Sequence, residues 1–311
     1  MNTIVIQTEN LPQECSDWLA KRCELHMCPP ESLRFKELLP KANGLVIRTY
    51  TTVDRKMLEQ APNLQVVGRA GAGVDNIDLV ACKENFVTVV HTPDANSESV
   101  VEFVITTMLT AIRNTVPITS SLHQKEWNTL RDTSMTQKEF SETTVGIIGF
   151  GRIGSRLGKM ANSMGFRVVF NDLLDVDHTH GCKQVDMDQL LRESDVVSIH
   201  VDGRTENKHL CDNEMFEKMK PNMVFINTAR GFIVDTYALT HFLTHHPSAF
   251  AILDVHDPEP ITPQYPVLHI PNAILYPHIA CKTKRATVNM GWVVRDIDAV
   301  LRGSKPKYPT T

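Results

Sequence analysis

A glycine-rich turn between a strand-like run and a helix-like run places the strongest constraint on the fold of this 311-residue chain. The turn has the sequence GFGRIG from Gly149 to Gly154, with Thr144 to Ile148 before it and Ile153 to Met164 after it. In such a turn the first glycine permits a tight bend, the second lets a pyrophosphate approach the backbone, and the third lets helix and strand pack closely. The N-terminus of the helix also attracts phosphate charge. The motif predicts a dinucleotide site with five contacting residues: Gly149, Gly151, Arg152, Ile153 and Gly154.

An acidic residue follows the turn at the spacing that a dinucleotide site requires. A second strand-like run, Arg167 to Phe170, is followed by Asp172, near the roughly 20-residue spacing at which an acid contacts the adenosine ribose. A carboxylate there accepts hydrogen bonds from the ribose hydroxyls and repels a 2′-phosphate. The order of strand, glycines, helix, strand and acid is more specific than a glycine loop alone, and it predicts NAD rather than NADP as the cofactor.

The composition excludes several other classes of protein. The length is natural for two domains, and 42% hydrophobic with 22% charged residues is typical of a soluble globular protein. A net charge of −4 gives no indication of a nucleic-acid surface. The apolar stretch Val100 to Ile112 is too short and too polar to span a bilayer, and the N-terminus lacks the basic start of a signal peptide. We therefore expect a cytoplasmic protein that binds neither nucleic acid nor membrane.

The cysteines and histidines indicate a reducing compartment and no metal site. Seven cysteines, with no CxxC motif, fit the cytoplasm better than a disulfide framework. The paired histidines His178 with His180 and His245 with His246 have no nearby cysteine or acid at a metal-ligand spacing. No metal is expected.

Strand-like and helix-like runs alternate on both sides of the glycine turn, which predicts parallel sheets with helices on both faces. Before the turn, strands are predicted at Thr3–Gln7, Leu25–Met27, Gly44–Arg48, Gln65–Gly68 and Val87–Val90, and helices at Pro12–Arg22, Ser32–Leu39, Val53–Ala61 and Asp78–Glu84. Around and after the turn, the sequence predicts helices at Ser99–Thr115 and Thr283–Leu301 and further strands at Val196–His200, Met223–Asn227, Ala249–Asp254 and Ala273–Tyr276.

The predicted fold is α/β with two doubly wound parallel-sheet domains. A Rossmann NAD-binding domain at residues 94–283 is inserted into a flavodoxin-like substrate domain formed by residues 1–93 and 284–311. The last helix is expected to pack on the first domain. Ligands of such sheets bind at the carboxyl ends of the strands, so the chemistry is expected in the cleft between the domains.

Three ionisable residues follow predicted strands at this carboxyl edge. Arg230 comes after the strand that ends at Asn227, Glu259 after the strand that ends at Asp254, and His278 after the strand that ends at Tyr276. Hydride transfer to a ketone needs a proton donor for the forming alkoxide, a cation for the substrate carboxylate, and a group that keeps the donor protonated. His278, Arg230 and Glu259 fit these tasks in turn. Taken singly, each residue also fits a purely structural role: His278 as a loop residue, Arg230 as a cap of the preceding strand and Glu259 as part of an exposed turn.

These motifs together resemble those of the D-isomer-specific 2-hydroxyacid dehydrogenases. The resemblance covers nearly the whole chain and is carried by Leu64–Asp78, the glycine turn with Asp172, Asn227–Asp235, Asp254–Pro260 and Pro277-His278. It implies that His278 is the acid/base, Glu259 its partner and Arg230 the substrate anchor. It further implies that Asp254 faces the nicotinamide carboxamide and that the helix Ser99–Thr115 forms a homodimer interface. The substrate carboxylate is expected on the backbone of Ala70, Gly71, Ala72 and Gly73, where glycines at a strand end expose N–H groups as an anion nest.

Two arginines at the edge of the first sheet indicate a second anion on the substrate. Arg48 and Arg69 both follow or end predicted strands, and guanidinium groups suit the geometry of a phosphate. Their positions resemble the phosphate-contacting arginines of D-3-phosphoglycerate dehydrogenases, the branch that this chain resembles most, in a short form for which no C-terminal regulatory domain is expected. D-3-phosphoglycerate is therefore the predicted substrate, with hydroxypyruvate or glyoxylate reduction as the alternative. An alternative role for both arginines is pairing with surface acids. An alternative function for the chain is that of a non-catalytic NAD-sensing protein, like the corepressors of this fold.

Three segments depart from the family pattern. Asp202-Gly203-Arg204 stands where a proline is usual, Phe232 stands where a second glycine is common, and Ala280-Cys281-Lys282 replaces a smaller run. The first loop helps to hold the cofactor, and the other two add bulk near the cleft. An inactive relative is therefore a further alternative. Cys281 fits either a redox-sensitive thiol or a small buried side chain.

Overall fold

The computed structural model describes residues 3–113 and 115–310 of the chain. The chain divides into two compact units, one formed by Met1–Ser97 with Cys281–Thr311 and the other by Glu98–Ala280. The predicted domain boundaries, after residues 93 and 283, lie within a few residues of these division points. That one unit serves the substrate and the other the cofactor stays a prediction.

The first unit is built on a five-stranded parallel sheet with the order β2-β1-β3-β4-β5. The centre of the sheet is fully buried because helices cover both of its faces. The strands are β1 (Ile4–Gln7), β2 (Glu24–Met27), β3 (Gly44–Ile47), β4 (Val66–Arg69) and β5 (Thr88–His91). The helices are α1 (Gln13–Ala20), α2 (Leu33–Leu38), α3 (Arg55–Glu59) and α4 (Leu79–Glu84), with a short 3-10 helix at Leu39–Lys41.

The C-terminal part of the chain returns to this unit as two helices, not as the single helix Thr283–Leu301 predicted from the sequence. They are α11 (Lys284–Gly291) and α12 (Val294–Leu301). The first ends at Gly291, where a Cβ atom would lie 2.8 Å from Cys15 Sγ, so this residue permits a close approach to α1. Glycine costs about 1 kcal/mol in a helix interior, which favours the break at this position. As predicted, the last helix packs on the first sheet, where Ile297 fills the space left by Gly68.

The second unit is built on a seven-stranded parallel sheet with the order β12-β11-β10-β9-β6-β7-β8. Its strands are β6 (Thr144–Ile148), β7 (Arg167–Asn171), β8 (Lys183–Gln184), β9 (Val196–Ile199), β10 (Val224–Asn227), β11 (Phe250–Leu253) and β12 (Ala273–Leu275). The strand order reverses between β6 and β9, and the loops after these two strands therefore border the crevice in which such sheets bind ligands. The predicted fold class is confirmed.

Six helices accompany this sheet. They are α5 (Ser97–Ile112), α6 (Gln124–Thr133), α7 (Arg152–Ser163), α8 (Met187–Glu193), α9 (Asn213–Glu217) and α10 (Thr236–His245), and 3-10 turns lie at Phe140–Glu142, Thr205–Asn207 and Gly231–Ile233. Helix α5 starts two residues before the predicted Ser99 and ends before the predicted Thr115; residue 114 of that prediction lies outside the described residues. None of the helices in residues 3–113 and 115–310 combines the length and apolar character needed to cross a membrane.

Candidate active site

The three glycines of the turn after β6 have different surroundings. Gly149 has a φ of 87°, and a Cβ atom there would lie 2.8 Å from the carbonyl carbon of His200. A Cβ atom at Gly154 would overlap the carbonyl oxygen of Gly149, so the third glycine permits α7 to pack on the turn. At Gly151, by contrast, a Cβ atom would meet nothing within 4 Å. Two glycines are thus required by packing, while the middle one borders open space.

The start of α7 and the acid after β7 complete a surface that fits a dinucleotide. Gly151 is the N-cap of α7 and has no side chain to cap it, and the first amides of a helix, here including those of Arg152 and Ile153, have no partner within the helix. Asp172 Oδ2 accepts a hydrogen bond from the N–H of Phe150 at 2.6 Å, and its Oδ1 accepts one from the N–H of Leu174 at 3.0 Å. The predicted ribose acid therefore also braces the glycine turn.

The backbone of His200, which follows β9, lies against Gly149 and supports the turn, and no motif in the sequence marks this residue. Its Nε2 lies 2.8 Å from Ser198 Oγ. Burial lowers the pKa of its imidazole to about 3, so the ring is neutral at physiological pH. It therefore places no positive charge beneath Gly149.

The loops after β11 and β12 bring Glu259 and His278 together. Glu259 Oε2 lies 2.9 Å from His278 Nδ1, and Oε1 accepts a hydrogen bond from the N–H of His256 at 2.9 Å. Burial opposes ionisation of Glu259, but the hydrogen bonds from His278 and His256 outweigh it and hold the pKa of this carboxyl below its usual value. The pair predicted from the sequence therefore forms a hydrogen-bonded dyad.

The backbone of His278 is held in an unusual conformation. Its φ is 54°, in the left-handed region that non-glycine residues seldom adopt. Its N–H lies 2.8 Å from the carbonyl oxygen of Asp254 and 3.0 Å from that of Tyr276. These contacts, made to the ends of two neighbouring strands, fix the direction in which the imidazole leaves the backbone.

Asp254 holds the same turn with its side chain. It is buried, and its two oxygens accept hydrogen bonds from the N–H groups of Ile279 and Ala280 at 2.7 and 2.8 Å. Burial raises the pKa of this carboxyl, against the opposing effect of the two amides. The residue was predicted to face the nicotinamide. That contact stays a prediction, and the structure adds a role in positioning the turn that carries His278.

Arg230 lies in the loop after β10, beside the loop that carries Glu259. The side chain of Asn227 shapes this loop, since its Nδ2 donates to the carbonyl oxygen of Arg230 at 2.8 Å and its Oδ1 accepts from the N–H of Ala229 at 3.0 Å. A Cβ atom at Gly231 would overlap the backbone of His256, so only glycine permits this contact between the loops. Because β10, β11 and β12 are neighbours, the three predicted catalytic residues leave the same edge of one sheet.

The unusual loop after β9 adds an acid near Arg230. Asp202 accepts hydrogen bonds from Nε and Nη2 of Arg204 at 2.7 and 2.6 Å. These bonds lower the pKa of Asp202, burial opposes them, and the charge of Arg230 lowers it further. The first departure from the family pattern therefore changes the charge around the proposed substrate anchor.

The other two departures are accommodated by packing. Phe232 is half-buried and packs against the core beside the large sheet. Ala280 is buried, and Cys281 is half-buried and packs against the core of the first unit.

In the first unit, the predicted substrate arginines leave neighbouring strands at the same edge. Arg48 follows β3 and Arg69 ends β4, with which β3 pairs. Nη1 of Arg48 donates to the carbonyl oxygen of Asn10 at 3.0 Å. The guanidinium group of Arg69 occupies the space that a side chain at Gly71 would fill. Both cations thus lie at the carboxyl edge, as predicted.

The predicted anion nest at Ala70–Gly73 is smaller than the sequence indicated. The N–H of Ala70 donates to the carbonyl oxygen of Ile47 and that of Gly71 to the carbonyl oxygen of Arg69, each at 2.9 Å. Within the part of the chain that the structure describes, no acceptor lies in hydrogen-bonding range of the N–H groups of Ala72 and Gly73. These two amides are the ones that a substrate carboxylate can use.

The carboxylate of Glu9, which was not predicted from the sequence, accepts hydrogen bonds from a second set of backbone amides in this unit. Glu9 follows β1 and accepts hydrogen bonds from four consecutive N–H groups, those of residues 48–51, at 3.0 to 3.3 Å. The hydroxyl of Thr51 donates to it as well, at 3.0 Å. Asn76 holds the loop from its other side through the carbonyl oxygens of Arg48 and Thr51. Glu9 thus fixes the backbone from which Arg48 extends.

Comparison with known proteins bears on the family and the fold of the chain. Residues 105–280 match the model of the D-isomer specific 2-hydroxyacid dehydrogenase, NAD binding domain. A D-lactate dehydrogenase from Aquifex aeolicus, solved in complex with NAD and lactic acid, superposes with a TM-score of 0.81 at 26% identity, over 97% of this chain and 96% of that one.

Two curated relatives have different substrates. A D-3-phosphoglycerate dehydrogenase from Archaeoglobus fulgidus is 33% identical over 94% of this chain, and the match spans 56% of that relative's length. A hydroxypyruvate reductase from Thermotoga maritima is 32% identical over 90% of this chain and 92% of its own length. The chain thus spans little more than half of the first relative and nearly all of the second.

Proposed function

Because the chain belongs to the D-isomer specific 2-hydroxyacid dehydrogenase family, we propose that it is an NAD-dependent dehydrogenase. The reaction is hydride transfer between nicotinamide and a D-2-hydroxy acid or its 2-oxo acid. The observation that carries this proposal is the dyad of His278 and Glu259, joined at 2.9 Å at the carboxyl edge of the NAD-binding sheet. Family membership supplies the cofactor class, and the dyad supplies the group that moves the proton.

The two ring nitrogens of His278 have different roles in this dyad. Glu259 accepts the Nδ1 hydrogen of His278, which leaves Nε2 as the nitrogen that exchanges a proton with the substrate. In ketone reduction the protonated ring gives its Nε2 proton to the forming alkoxide, and in alcohol oxidation the neutral Nε2 takes the proton of the hydroxyl. The carboxylate of Glu259 stabilises the charged ring in both directions.

The remaining residues bind and orient the substrate and the cofactor. Arg230 holds the carboxylate of the 2-oxo acid through its guanidinium group, whose geometry matches a carboxylate. The open space at Gly151 and the N-terminus of α7 would receive the pyrophosphate of NAD, and Asp172 would hold its adenosine ribose. The cofactor held there would supply the hydride acceptor for alcohol oxidation and, in its reduced form, the hydride donor for ketone reduction.

Absorbance of NADH in the presence of a panel of 2-oxo acids tests the reaction. We expect oxidation of NADH with at least one acid, and His278→Ala should lower turnover by about 10²- to 10⁴-fold while NADH still binds, because only proton transfer is removed. Binding of NADH without turnover of any acid would favour a non-catalytic NAD-sensing protein. Equal rates for the parent and His278→Ala would remove this histidine from the mechanism.

We further propose D-3-phosphoglycerate as the substrate. Arg48 and Arg69 support it, since two cations at one sheet edge exceed what the single carboxylate of a simple 2-oxo acid needs. The alternative, reduction of hydroxypyruvate or glyoxylate, is favoured by the near-complete match to the hydroxypyruvate reductase.

A charge reversal separates these substrates. Arg69→Glu should raise KM for the phosphorylated substrate by about 100-fold, as a charge-assisted contact becomes a repulsion, and should change KM for glyoxylate only a few-fold. Equal losses for both substrates, or a parent protein that does not oxidise D-3-phosphoglycerate, would transfer the assignment to the hydroxypyruvate and glyoxylate reductases.

We also propose that the protein is a cytoplasmic homodimer. The dimer is supported by the segment after α5: helix α6 has no buried residue, and four apolar side chains in this region, Val116, Ile118, Trp127 and Met135, are exposed. A partner chain would cover these side chains, as expected for an apolar interaction surface. The cysteines support a reducing compartment.

Light scattering of the parent and of Trp127→Arg checks the dimer. The parent should have twice the mass of the chain, and the variant should dissociate.

A further inference from the structure

A buried histidine and tyrosine join the two loops that carry the dyad. His256 and Tyr265 are 8% and 4% exposed, and their rings meet edge to face with centroids 5.3 Å apart. Both belong to the connection between β11 and β12, which has no helix or strand of its own. Neither has a part in the proton transfer described above.

The imidazole of His256 bridges separate pieces of chain. Its Nε2 lies 2.8 Å from the carbonyl oxygen of Tyr276. A carbonyl can only accept, so Nε2 carries the hydrogen. Its Nδ1 lies 3.2 Å from the hydroxyl of Tyr265, and in the neutral ring this nitrogen accepts the hydroxyl hydrogen. Burial raises the pKa of Tyr265 to about 12, which keeps that hydroxyl a donor.

The hydrogen bonds of His256 reach the surroundings of both members of the dyad. The N–H of His256 donates to Glu259 Oε1 at 2.9 Å, and Tyr276, which accepts from its ring, also accepts from the N–H of His278. The histidine thus contacts Glu259 through its backbone and the His278 turn through its side chain. We propose that His256, held by Tyr265, is a positioning residue that sets the separation and orientation of Glu259 and His278. This proposal rests on the proposed dehydrogenase activity.

Three variants separate positioning from simple packing. His256→Phe keeps an aromatic ring at this position but loses both side-chain hydrogen bonds. We expect turnover to fall about 10- to 100-fold, as for a displacement near 1 Å at a reacting group, with KM for the 2-oxo acid changed less than about threefold. In His256→Gln the side-chain amide can still donate to the Tyr276 carbonyl, and it should recover most of the lost turnover. Tyr265→Phe, which loses only the hydroxyl, should give an intermediate loss. His246→Phe is the matched control, because that ring bonds only to a carbonyl of its own helix, and it should behave as the parent.

A spectroscopic readout decides the proposal independently of activity. With histidine labelled with ¹⁵N, the Nδ1 proton of His278 should give a downfield resonance in the parent, shifted by its hydrogen bond to a carboxylate, and Glu259→Gln identifies it. The resonance should be lost in His256→Phe and return in His256→Gln. A parent that oxidises no NADH would overturn the proposed function, yet the resonance would still report on the dyad. Turnover of His256→Phe within twofold of the parent, or a resonance that persists in it, would overturn the positioning role.

Discussion

Two loops of this protein present consecutive backbone amides at the carboxyl end of a strand, and they use them in opposite ways. The glycine turn after β6 leaves open space at Gly151 and an uncapped helix start. The loop after β3, residues 48–51, directs four amides at the carboxylate of Glu9. We propose the first, the open turn, as a site for an anion from outside, whereas the second, the filled loop, already holds the carboxylate of Glu9.

The difference lies in which residues build each loop. Glycine at the centre of the first turn removes the side chain that would otherwise cover the amides. The second loop contains no glycine, and Glu9, which follows the neighbouring strand β1, satisfies its amides. The proposed binding of a substrate anion in the first unit therefore relies on the side chains of Arg48 and Arg69 and on the amides of Ala72 and Gly73. An amide-rich loop is thus a ligand site only where its amides lack a partner within the protein.

The sharpest test of the open turn compares two of its glycines. Gly154→Ala should unfold the turn, because its Cβ atom would overlap the carbonyl oxygen of Gly149. Overpacking of this kind costs about 1–3 kcal/mol, and NADH binding should be lost. Gly151→Ala should have an unchanged urea midpoint, since its Cβ atom meets nothing within 4 Å, but the methyl group takes up space that the pyrophosphate needs. We expect its Kd for NADH to rise about tenfold. Equal affinity in Gly151→Ala and the parent would show that this space is not the cofactor's.

The filled loop is tested by removing its anion. Glu9→Gln replaces an acceptor-only group by one that also points N–H donors at the loop, and hydrogen bonds to a charged group are each worth about 1.5–3 kcal/mol. We expect a loss of about 2 kcal/mol in the free energy of unfolding, and a several-fold rise in KM for the phosphorylated substrate, because the backbone beneath Arg48 loosens. Glu14→Gln, in the exposed first turn of α1, is the control and should change neither. A stable Glu9→Gln with tighter substrate binding would mean that Glu9 competes with the substrate for these amides.

The same two loops show what the sequence could and could not predict. The glycine turn was predictable because strand, glycines, helix and acid are close in the chain, and because the first and third glycines are required by local packing. Glu9 was not, because its partners lie 39 to 42 positions away and nothing local distinguishes it from a surface acid. The same holds for His256 and Tyr265, whose partners depend on how an irregular connection folds. The dyad was predicted because both residues lie in the segments that follow neighbouring strands of one sheet, close to their carboxyl ends. The break after Gly291 was missed because it arises from contact with α1.

Acid should destabilise the open turn through protonation of His200. The folded-state pKa of His200 is about 3, against 6.5 for an ordinary histidine. Between these values the unfolded chain binds a proton that the folded chain does not, so the contribution of His200 is complete above pH 6.5 and is lost as the pH falls towards 3. The slope is at most about 1.4 kcal/mol per pH unit, and partial solvent exposure of the residue reduces it. Hydrogen exchange from pH 7 to 4 should therefore show earlier loss of protection in β6 than in β3. His200→Gln should remove that difference, and the exposed His178→Gln should not.

The smallest expected effect concerns Asp202. Its carboxylate lies near Arg230, a proposed anion-binding group, just as the carboxylate of Glu9 lies at the amides of residues 48–51. Its carboxylate pairs with Arg204, and both side chains are about half exposed, so we expect no change in the urea midpoint of Asp202→Asn. The charge itself reaches Arg230 and opposes an incoming carboxylate. We therefore expect Asp202→Asn to lower KM for the 2-oxo acid about two- to threefold at low ionic strength. The difference should vanish at 1 M salt, where the screening length is about 3 Å. Asp188→Asn, which removes an equally exposed acid paired with Lys218, should leave KM unchanged. A higher KM in Asp202→Asn would show instead that Asp202 orients Arg230, as Glu9 orients the loop of Arg48.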